Sequence, residues 1–106
     1  MWKRVCAVGD VPTGGMKAFS VDGTTSVLIV NAANEHFAYQ PLCPHEAVPL
    51  EEGVHDGSVL TCLEHLWQFD VRTGAPLTDA ERRLTGYPLK EEDGALHVWI
   101  EHPPGP

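Results

Sequence analysis

Three Asp-Gly dipeptides divide the apolar segments of the chain into pairs. Asp22-Gly23 lies between MKAFSV and SVLIVN, Asp56-Gly57 between EGVH and SVLTC, and Asp93-Gly94 between YPLKE and ALHVWI. Asp-Gly suits the positive φ angles of two-residue hairpin turns, and the flanking segments have the composition of strands. Three hairpins in a chain of this length predict an antiparallel, all-β fold.

Two of the predicted strands differ in how their side chains are distributed. Residues 27–30 are apolar at every position, which indicates an interior strand with both faces buried. In the last strand, residues 95–100, every second position is a large aliphatic residue, so one face is expected to meet the core. Only residues 78–84 (TDAERRL) have helical character, with Thr78 or Asp79 as the N-cap, and this short segment fits a loop equally well.

The composition is that of one acidic globular domain, which we expect to span residues 1–106. Of the 106 residues 42% are apolar, and the formal net charge of −8 disfavours nucleic acid, whose phosphates would be repelled. No apolar run approaches the roughly 20 residues that cross a bilayer, and none follows Lys3 and Arg4 as in a secretory signal. We therefore expect a monomer that binds neither nucleic acid nor membranes and meets partners with basic faces.

The cysteines do not form a disulfide framework, because their number is odd. This indicates a reducing compartment, the cytoplasm. Cys6 lies in the apolar segment VCAV and is expected to be a small core residue. Cys43 and Cys62 instead each have a histidine nearby, the first in CPH (residues 43–45) and the second in CLEH (residues 62–65).

Both Cys/His pairs fall in predicted loops that follow strands, and two such loops can meet at one end of a sheet. Thiolate and imidazole are strong ligands for zinc and iron, so the repeated pair indicates a metal site rather than four unrelated residues. A structural Cys2His2 zinc site is one interpretation. Zinc fingers, however, usually pair cysteine with cysteine and histidine with histidine, whereas each loop here contains one of each.

The two pairs resemble the Rieske motif, CxH followed by CxxH. The segments EEGVHDGSVLTC, HLWQFDVRTGAPL and YPLKEEDGALHVWI are similar to parts of Rieske ferredoxins, so the resemblance covers nearly the whole chain. Within this family, HLW after the second cysteine is most similar to the ferredoxins of four-component diiron monooxygenases, such as toluene and alkene monooxygenases. The ferredoxins of ring-hydroxylating dioxygenases are close relatives in motif and fold.

This resemblance implies a fold and a cofactor. The Rieske fold consists of antiparallel sheets in a sandwich- or barrel-like arrangement, with two cluster-binding loops at one end. The implied cofactor is one [2Fe–2S] cluster, with Cys43 and Cys62 on one iron and His45 and His65 on the other. Because neutral imidazoles replace two thiolates, the reduction potential of such a cluster is higher than that of a four-cysteine cluster.

The resemblance also identifies positions around the cluster. Rieske proteins of cytochrome bc complexes have a disulfide between two further cysteines. The corresponding positions here are Val48 and Glu64, so this chain lacks that disulfide. They also have a Ser and a Tyr whose hydroxyl groups donate hydrogen bonds to sulfur. The corresponding positions here are Trp67 and Phe69, which have no hydroxyl group. Fewer hydrogen bonds to sulfur stabilise the reduced cluster less, so we expect a potential near the low end of the Rieske range. Pro44 is expected to stiffen the first loop.

The implied function is electron transfer within a multicomponent oxygenase, as in aromatic hydrocarbon catabolism, and not catalysis. Single electrons would pass from an NADH-dependent flavin reductase to a diiron monooxygenase hydroxylase. The alternatives are a ring-hydroxylating dioxygenase as the acceptor, a nitrite-reductase-like small subunit and a zinc-binding interaction module. Glu46 and Glu64 are candidates for an acidic docking rim. The remaining histidines are expected to be ordinary surface or partly packed residues: His36, His55, His97 and His102.

Overall fold

The computed structural model describes residues 1–23, 25–44, 48–63, 66–77 and 82–100. Within these ranges the chain forms strands β1 (Trp2–Ala7), β2 (Met16–Ser20), β3 (Ser26–Ala32), β4 (Glu35–Tyr39), β5 (Val54–His55), β6 (Val59–Thr61), β7 (Gln68–Asp70), β8 (Pro76–Leu77), β9 (Leu89–Glu92) and β10 (Ala95–Trp99). Two short 3-10 helices span Val8–Asp10 and Leu50–Glu52.

The strands form three sheets in which every pairing is antiparallel. The first has the order β1-β10-β9, the second β2-β3-β4, and the third β5-β6-β7-β8. The prediction of an antiparallel, all-β fold is therefore confirmed. No helix in the described part of the chain is long and apolar enough to cross a membrane.

Strand β3 separates two hydrophobic cores, as expected for a strand that is apolar on both faces. Residues 27–30 are fully buried. Leu28 and Val30 belong to one core, which also contains Cys43 and Cys62 and which we call the Cys43/Cys62 core. Val27 and Ile29 point to the opposite face and belong to a second core with Cys6, which we call the Cys6 core. The prediction of an interior strand is confirmed.

The Cys6 core lies between the first and second sheets. Leu96 and Val98 of β10 and the adjoining Ile100 are buried in it, which confirms the predicted alternation. Cys6 is buried beside them, and this burial raises the pKa of its thiol, with a smaller contribution from Asp10. It is therefore a core residue, as predicted. Residues 78–81 of the segment considered for a helix lie outside the described residues, and residues 82–84 are not helical.

The three Asp-Gly turns lie where they were predicted, but only one of them has the predicted two-residue form. Asp93-Gly94 forms the expected two-residue turn, with φ angles of 53° and 75°. Asp22-Gly23 and Asp56-Gly57 also connect paired antiparallel strands, but in longer connections. A fourth hairpin, between β3 and β4, turns at Ala33-Asn34, where both φ angles are positive at 55° and 68°. Alanine gives no signal for this conformation, so the hairpin was not predicted.

Candidate metal centre

The first predicted ligand loop begins at Cys43, shortly after β4. The Cys43 N–H donates a hydrogen bond to the Val48 carbonyl at 2.9 Å. Leu42 and Pro49 form a β-bridge just outside this pair, and the Leu50 N–H binds the Pro41 carbonyl at 2.9 Å. The two ends of the loop are therefore held together as a narrow stem.

The second predicted ligand loop has the same construction. Cys62 follows β6 directly, and its N–H donates to the Trp67 carbonyl at 2.8 Å. The pairing of Thr61 with Gln68 closes the stem below it. In both loops the N–H of a cysteine binds the carbonyl of the residue five positions later. Each cysteine thus lies at a fixed position on a closed six-residue loop.

The two loops place their cysteines in one core. Cys43 and Cys62 are 3% and 1% exposed, both belong to the Cys43/Cys62 core, and neither is in a disulfide. Gly53, which follows the 3-10 helix Leu50–Glu52, packs against Thr61 next to Cys62, and an added Cβ atom there would lie 2.2 Å from the Thr61 carbonyl oxygen. Two buried thiols in one core fit the part of a metal centre that thiolates would supply.

The other predicted ligands and rim residues are outside the described residues. These are His45, Glu46, Glu64 and His65. The complete ligand set and the acidic rim therefore remain predictions from the sequence. The described part of the chain, which does not include His45 or His65, contains no group of three or more His, Cys, Asp or Glu residues arranged to hold a metal ion.

The aromatic residues after the second loop pack below it. The Trp67 and Phe69 rings are 6.4 Å apart between centroids, Trp67 is half-buried and Phe69 is fully buried in the Cys43/Cys62 core. Pro44 and Val48 in the first loop are half-buried. The hydrophobic environment on this side of the loops excludes water from the two thiols.

The histidines expected to be ordinary residues are half-buried on strands where the structure describes them. His36 lies on β4 and His97 on β10. On β5, a His55 ring nitrogen accepts a hydrogen bond from the Gly57 N–H at 3.1 Å, and the other is 3.2 Å from the Gly15 carbonyl oxygen. His102 lies outside the described residues. The expectation of partly packed histidines is confirmed for these three.

Tyr39 connects the structural supports of the two loops, and sequence analysis did not single it out. It lies at the end of β4, before the first loop, and its hydroxyl donates a 2.6 Å hydrogen bond to the carbonyl of Val71, beyond the second loop. Burial, with a smaller contribution from the Asp70 carboxylate, raises the pKa of Tyr39 to about 12. The Gly74 backbone lies so close to the ring that an added Cβ would be 3.0 Å from it.

We expect Tyr39→Phe to destabilise the protein by about 1–3 kcal/mol, because the buried Val71 carbonyl loses its hydroxyl donor. Urea unfolding of the iron-loaded protein measures this change. Tyr87→Phe is the matched control at a half-buried ring, with an expected change within about 0.5 kcal/mol. Equal stability of the Tyr39→Phe variant and the original protein would contradict this role.

Exposed leucines flank both cysteines. Leu42 precedes Cys43 and is 42% exposed, while Leu63 follows Cys62 and is 57% exposed. Leu66, in the second loop, is 64% exposed and has a φ of 55°, a conformation that costs a leucine on the order of 1 kcal/mol. We call these three residues the loop leucines. Their exposure is typical of a surface that contacts another protein.

Comparisons with known proteins agree with these features. Residues 1–88 match the family model of the Rieske [2Fe-2S] domain. The chain is 40% identical over 98 residues to the ferredoxin component of the alkene monooxygenase system of Xanthobacter autotrophicus, covering 92% of this chain and 80% of that relative. It is 36% identical over 100 residues to the methanesulfonate monooxygenase ferredoxin subunit of Methylosulfonomonas methylovora, covering 93% and 80%.

The fold is similar to that of a chain in a solved electron-transfer complex. That structure is the complex of reduced oxygenase and oxidized ferredoxin in carbazole 1,9a-dioxygenase, with a TM-score of 0.83 and 26% identity. The match covers 92% of this chain and 91% of that chain. Together the comparisons select the iron–sulfur interpretation of the two Cys/His pairs over the zinc interpretation, and they confirm the expected similarity to monooxygenase ferredoxins.

Proposed function

Because the chain belongs to the Rieske [2Fe-2S] domain family, we propose that it is the electron-carrying ferredoxin of a multicomponent oxygenase. Members of this family hold one Rieske-type cluster, which accepts and releases single electrons. The proposal rests mainly on the burial of Cys43 and Cys62 in one core, on two loops that are closed by the same hydrogen bond between residues five positions apart. The protein is an electron carrier and not the catalytic component.

In this proposal Cys43 and Cys62 bind one iron, and His45 and His65 bind the other. The buried core closes the cysteine side to water and to partner proteins. The electron therefore enters and leaves on the histidine side. Hydrogen bonds within each loop hold the backbone of the two cysteines in place.

We assign an NADH-dependent flavin reductase as the electron donor and a diiron monooxygenase hydroxylase as the acceptor. The ferredoxin component of an alkene monooxygenase system, at 40% identity, supports this acceptor. A ring-hydroxylating dioxygenase is the second candidate, supported by the fold similarity to the chain in the carbazole dioxygenase complex. We also propose that the protein works as a cytoplasmic monomer that binds each partner transiently; the absence of a disulfide among its three cysteines supports a reducing compartment.

Electron delivery is expected to depend on the acidic rim. Glu46→Lys and Glu64→Lys should each slow electron transfer to the acceptor several-fold, because they reverse a charge that steers association. The visible spectrum should stay unchanged. Glu91→Lys, on β9, makes the same charge change away from the loops and is the control. Stopped-flow rates at low and physiological salt measure the effect, and rates insensitive to both salt and substitution would reject an acidic rim.

The reduction potential is expected to lie at about −150 mV, near the low end of the Rieske range. Phe69 is fully buried and has no hydroxyl group to donate to a cluster sulfur. Cyclic voltammetry of the iron-loaded protein measures this potential. A Phe69→Tyr variant tests the cause: a new hydroxyl donor to sulfur should raise the potential. A potential above zero in the unmodified protein would contradict the expected environment.

Reconstitution with purified components tests the proposed function. The reductase, this protein and the oxygenase encoded nearest to its gene are mixed with NADH and the oxygenase substrate, and each component is omitted in turn. Product formation should require all three proteins, and a His65→Ala variant should not replace the original protein. Turnover supported by a ring-hydroxylating dioxygenase but not by a diiron hydroxylase would select the second acceptor. Full turnover without this protein would reject the electron-carrier role.

A further inference from the structure

Six of the seven large exposed apolar residues in the described chain fall into two regions, and the seventh is Val54 on β5. One region contains the loop leucines, next to the predicted metal centre. The other contains Met1, Trp2 and Trp99, which are 49%, 40% and 41% exposed on the first sheet. The electron-carrier role accounts for the first region only. Exposed tryptophans in the second region need a separate explanation, because large aromatic residues are enriched at protein interfaces.

The register of the first sheet places aromatic and charged residues of all three strands on one face, with Glu92 two positions from Lys90 on β9. Trp2 of β1 lies opposite Trp99 of β10, Arg4 lies opposite His97, and His97 lies opposite Lys90 of β9. Residues directly opposite each other, and residues two positions apart on one strand, share a face of a sheet. We call Trp2, Arg4, Lys90, His97 and Trp99 the aromatic–basic face.

Direct contacts join the side chains of this face. The Trp2 and Trp99 rings meet edge to face, with centroids 5.6 Å apart. The Lys90 ammonium lies 4.6 Å from the centre of the Trp2 ring, which is within the range of a cation–π contact. Lys90 also pairs with the Glu92 carboxylate at 3.2 Å. These contacts hold the aromatic rings and a cation together as one surface.

The aromatic–basic face is on the opposite side of the molecule from the predicted metal centre. The other face of β10 contributes Leu96 and Val98 to the Cys6 core. Beyond that core lies β3, whose Leu28 and Val30 reach into the Cys43/Cys62 core on its far side. A partner on the aromatic–basic face would therefore leave the ligand loops accessible.

The charge of this face differs from that of the whole chain. The chain has 15 Asp and Glu residues against 7 Lys and Arg residues, yet Arg4 and Lys90 share this face, together with the Glu92 carboxylate. The amino terminus is also held nearby, since its nitrogen donates to the Ile100 carbonyl at 3.0 Å. At physiological salt, charges more than about 8 Å away are largely screened. An approaching partner therefore experiences mainly the charges of Arg4, Lys90 and the amino terminus, offset in part by the Glu92 carboxylate that pairs with Lys90.

We propose that the aromatic–basic face is a second protein-docking surface that binds an acidic segment of a partner protein. Tryptophan and arginine are the residue types that most often anchor protein interfaces. An anionic membrane suits the face less well, because it would bring a large charged plane against a molecule of net charge −8. This proposal does not rest on the electron-transfer role, and its failure would leave that role unaffected.

Titration with a charged peptide tests the proposal on the iron-loaded protein. The probe is fluorescein-labelled octaglutamate, with octalysine as the probe of opposite charge, and fluorescence anisotropy gives the Kd. Octaglutamate should bind and shift the indole NMR signals of Trp2 and Trp99 but not that of Trp67. Arg4→Glu combined with Lys90→Glu should weaken binding by about tenfold or more, because two favourable charge contacts become repulsive.

The matched control is Lys17→Glu combined with Arg82→Glu, which makes the same charge change at exposed positions off this face. It should change the Kd less than threefold, and an unchanged visible spectrum shows that both double variants fold. Absence of octaglutamate binding, or equal weakening in both double variants, would overturn the proposal. Binding to vesicles of phosphatidylglycerol and phosphatidylcholine without octaglutamate binding would overturn it in favour of a membrane surface.

Discussion

His65→Ala is expected to remove the Rieske spectrum and nearly all bound iron. In the assigned ligand set, each histidine supplies one of the two protein ligands of its iron, so alanine leaves that iron with a single imidazole. His45→Ala should have the same effect. Loss of metal also removes the binding free energy that stabilises the loops. The β-sheets should largely persist, because most of both cores consists of aliphatic and aromatic residues outside the loops.

His97→Ala is the control for these variants, since His97 lies on β10 in the first sheet. It should keep a normal visible spectrum and iron content. Iron analysis and visible absorption measured on the three variants, purified in parallel, give the comparison. A His65→Ala protein with two irons and an unchanged spectrum would show that the ligand assignment is wrong, whatever the outcome for His45.

Gly53→Ala is expected to destabilise the protein by about 3 kcal/mol and to lower its iron content. The new Cβ would lie 2.2 Å from the Thr61 carbonyl oxygen and 3.2 Å from that of Leu50. Backbone atoms cannot rotate away as a side chain can. Thr61 immediately precedes Cys62, and Gly53 follows the helix that ends the first loop region. Relief of the clash therefore shifts the backbone of Thr61, and with it the adjacent Cys62.

Backbone strain does not explain this prediction, because Gly53 has a φ of −81°, which any residue adopts. Gly9→Ala is the control, since no heavy atom lies within 4 Å of its added Cβ. Its stability should change by less than about 0.5 kcal/mol relative to the original protein. Urea unfolding of the iron-loaded proteins measures both effects. A Gly53→Ala protein as stable and as iron-rich as the Gly9→Ala protein would refute the close contact between Gly53 and Thr61.

The sequence predicted those features that depend on local pattern. Alternation and apolar runs identified the interior strand β3 and the buried face of β10, because burial on one or both faces directly constrains residue type. The spacing of the Cys/His pairs identified both cysteines of the Cys43/Cys62 core. The Asp-Gly turns located three hairpins, although only Asp93-Gly94 has the two-residue form.

Features that depend on distant contacts were not predictable from pattern. The Ala33-Asn34 turn has a positive φ at alanine, which no local preference signals. The hydrogen bond from Tyr39 to Val71 joins positions 32 residues apart, and a tyrosine in a strand gives no indication of its partner. The contact of Gly53 with Thr61 likewise exists only once the third sheet has formed.

Histidine ligation of the reduced cluster is the central claim, and pulsed electron paramagnetic resonance tests it most directly. The protein is produced with ¹⁵N-labelled histidine and reduced with dithionite before measurement. The spectrum should show hyperfine coupling to two histidine ¹⁵N nuclei, which should be retained in His97→Ala and reduced or lost with the cluster in His65→Ala. A signal without any histidine nitrogen coupling, or a colourless protein that contains zinc and gives no signal, would contradict it.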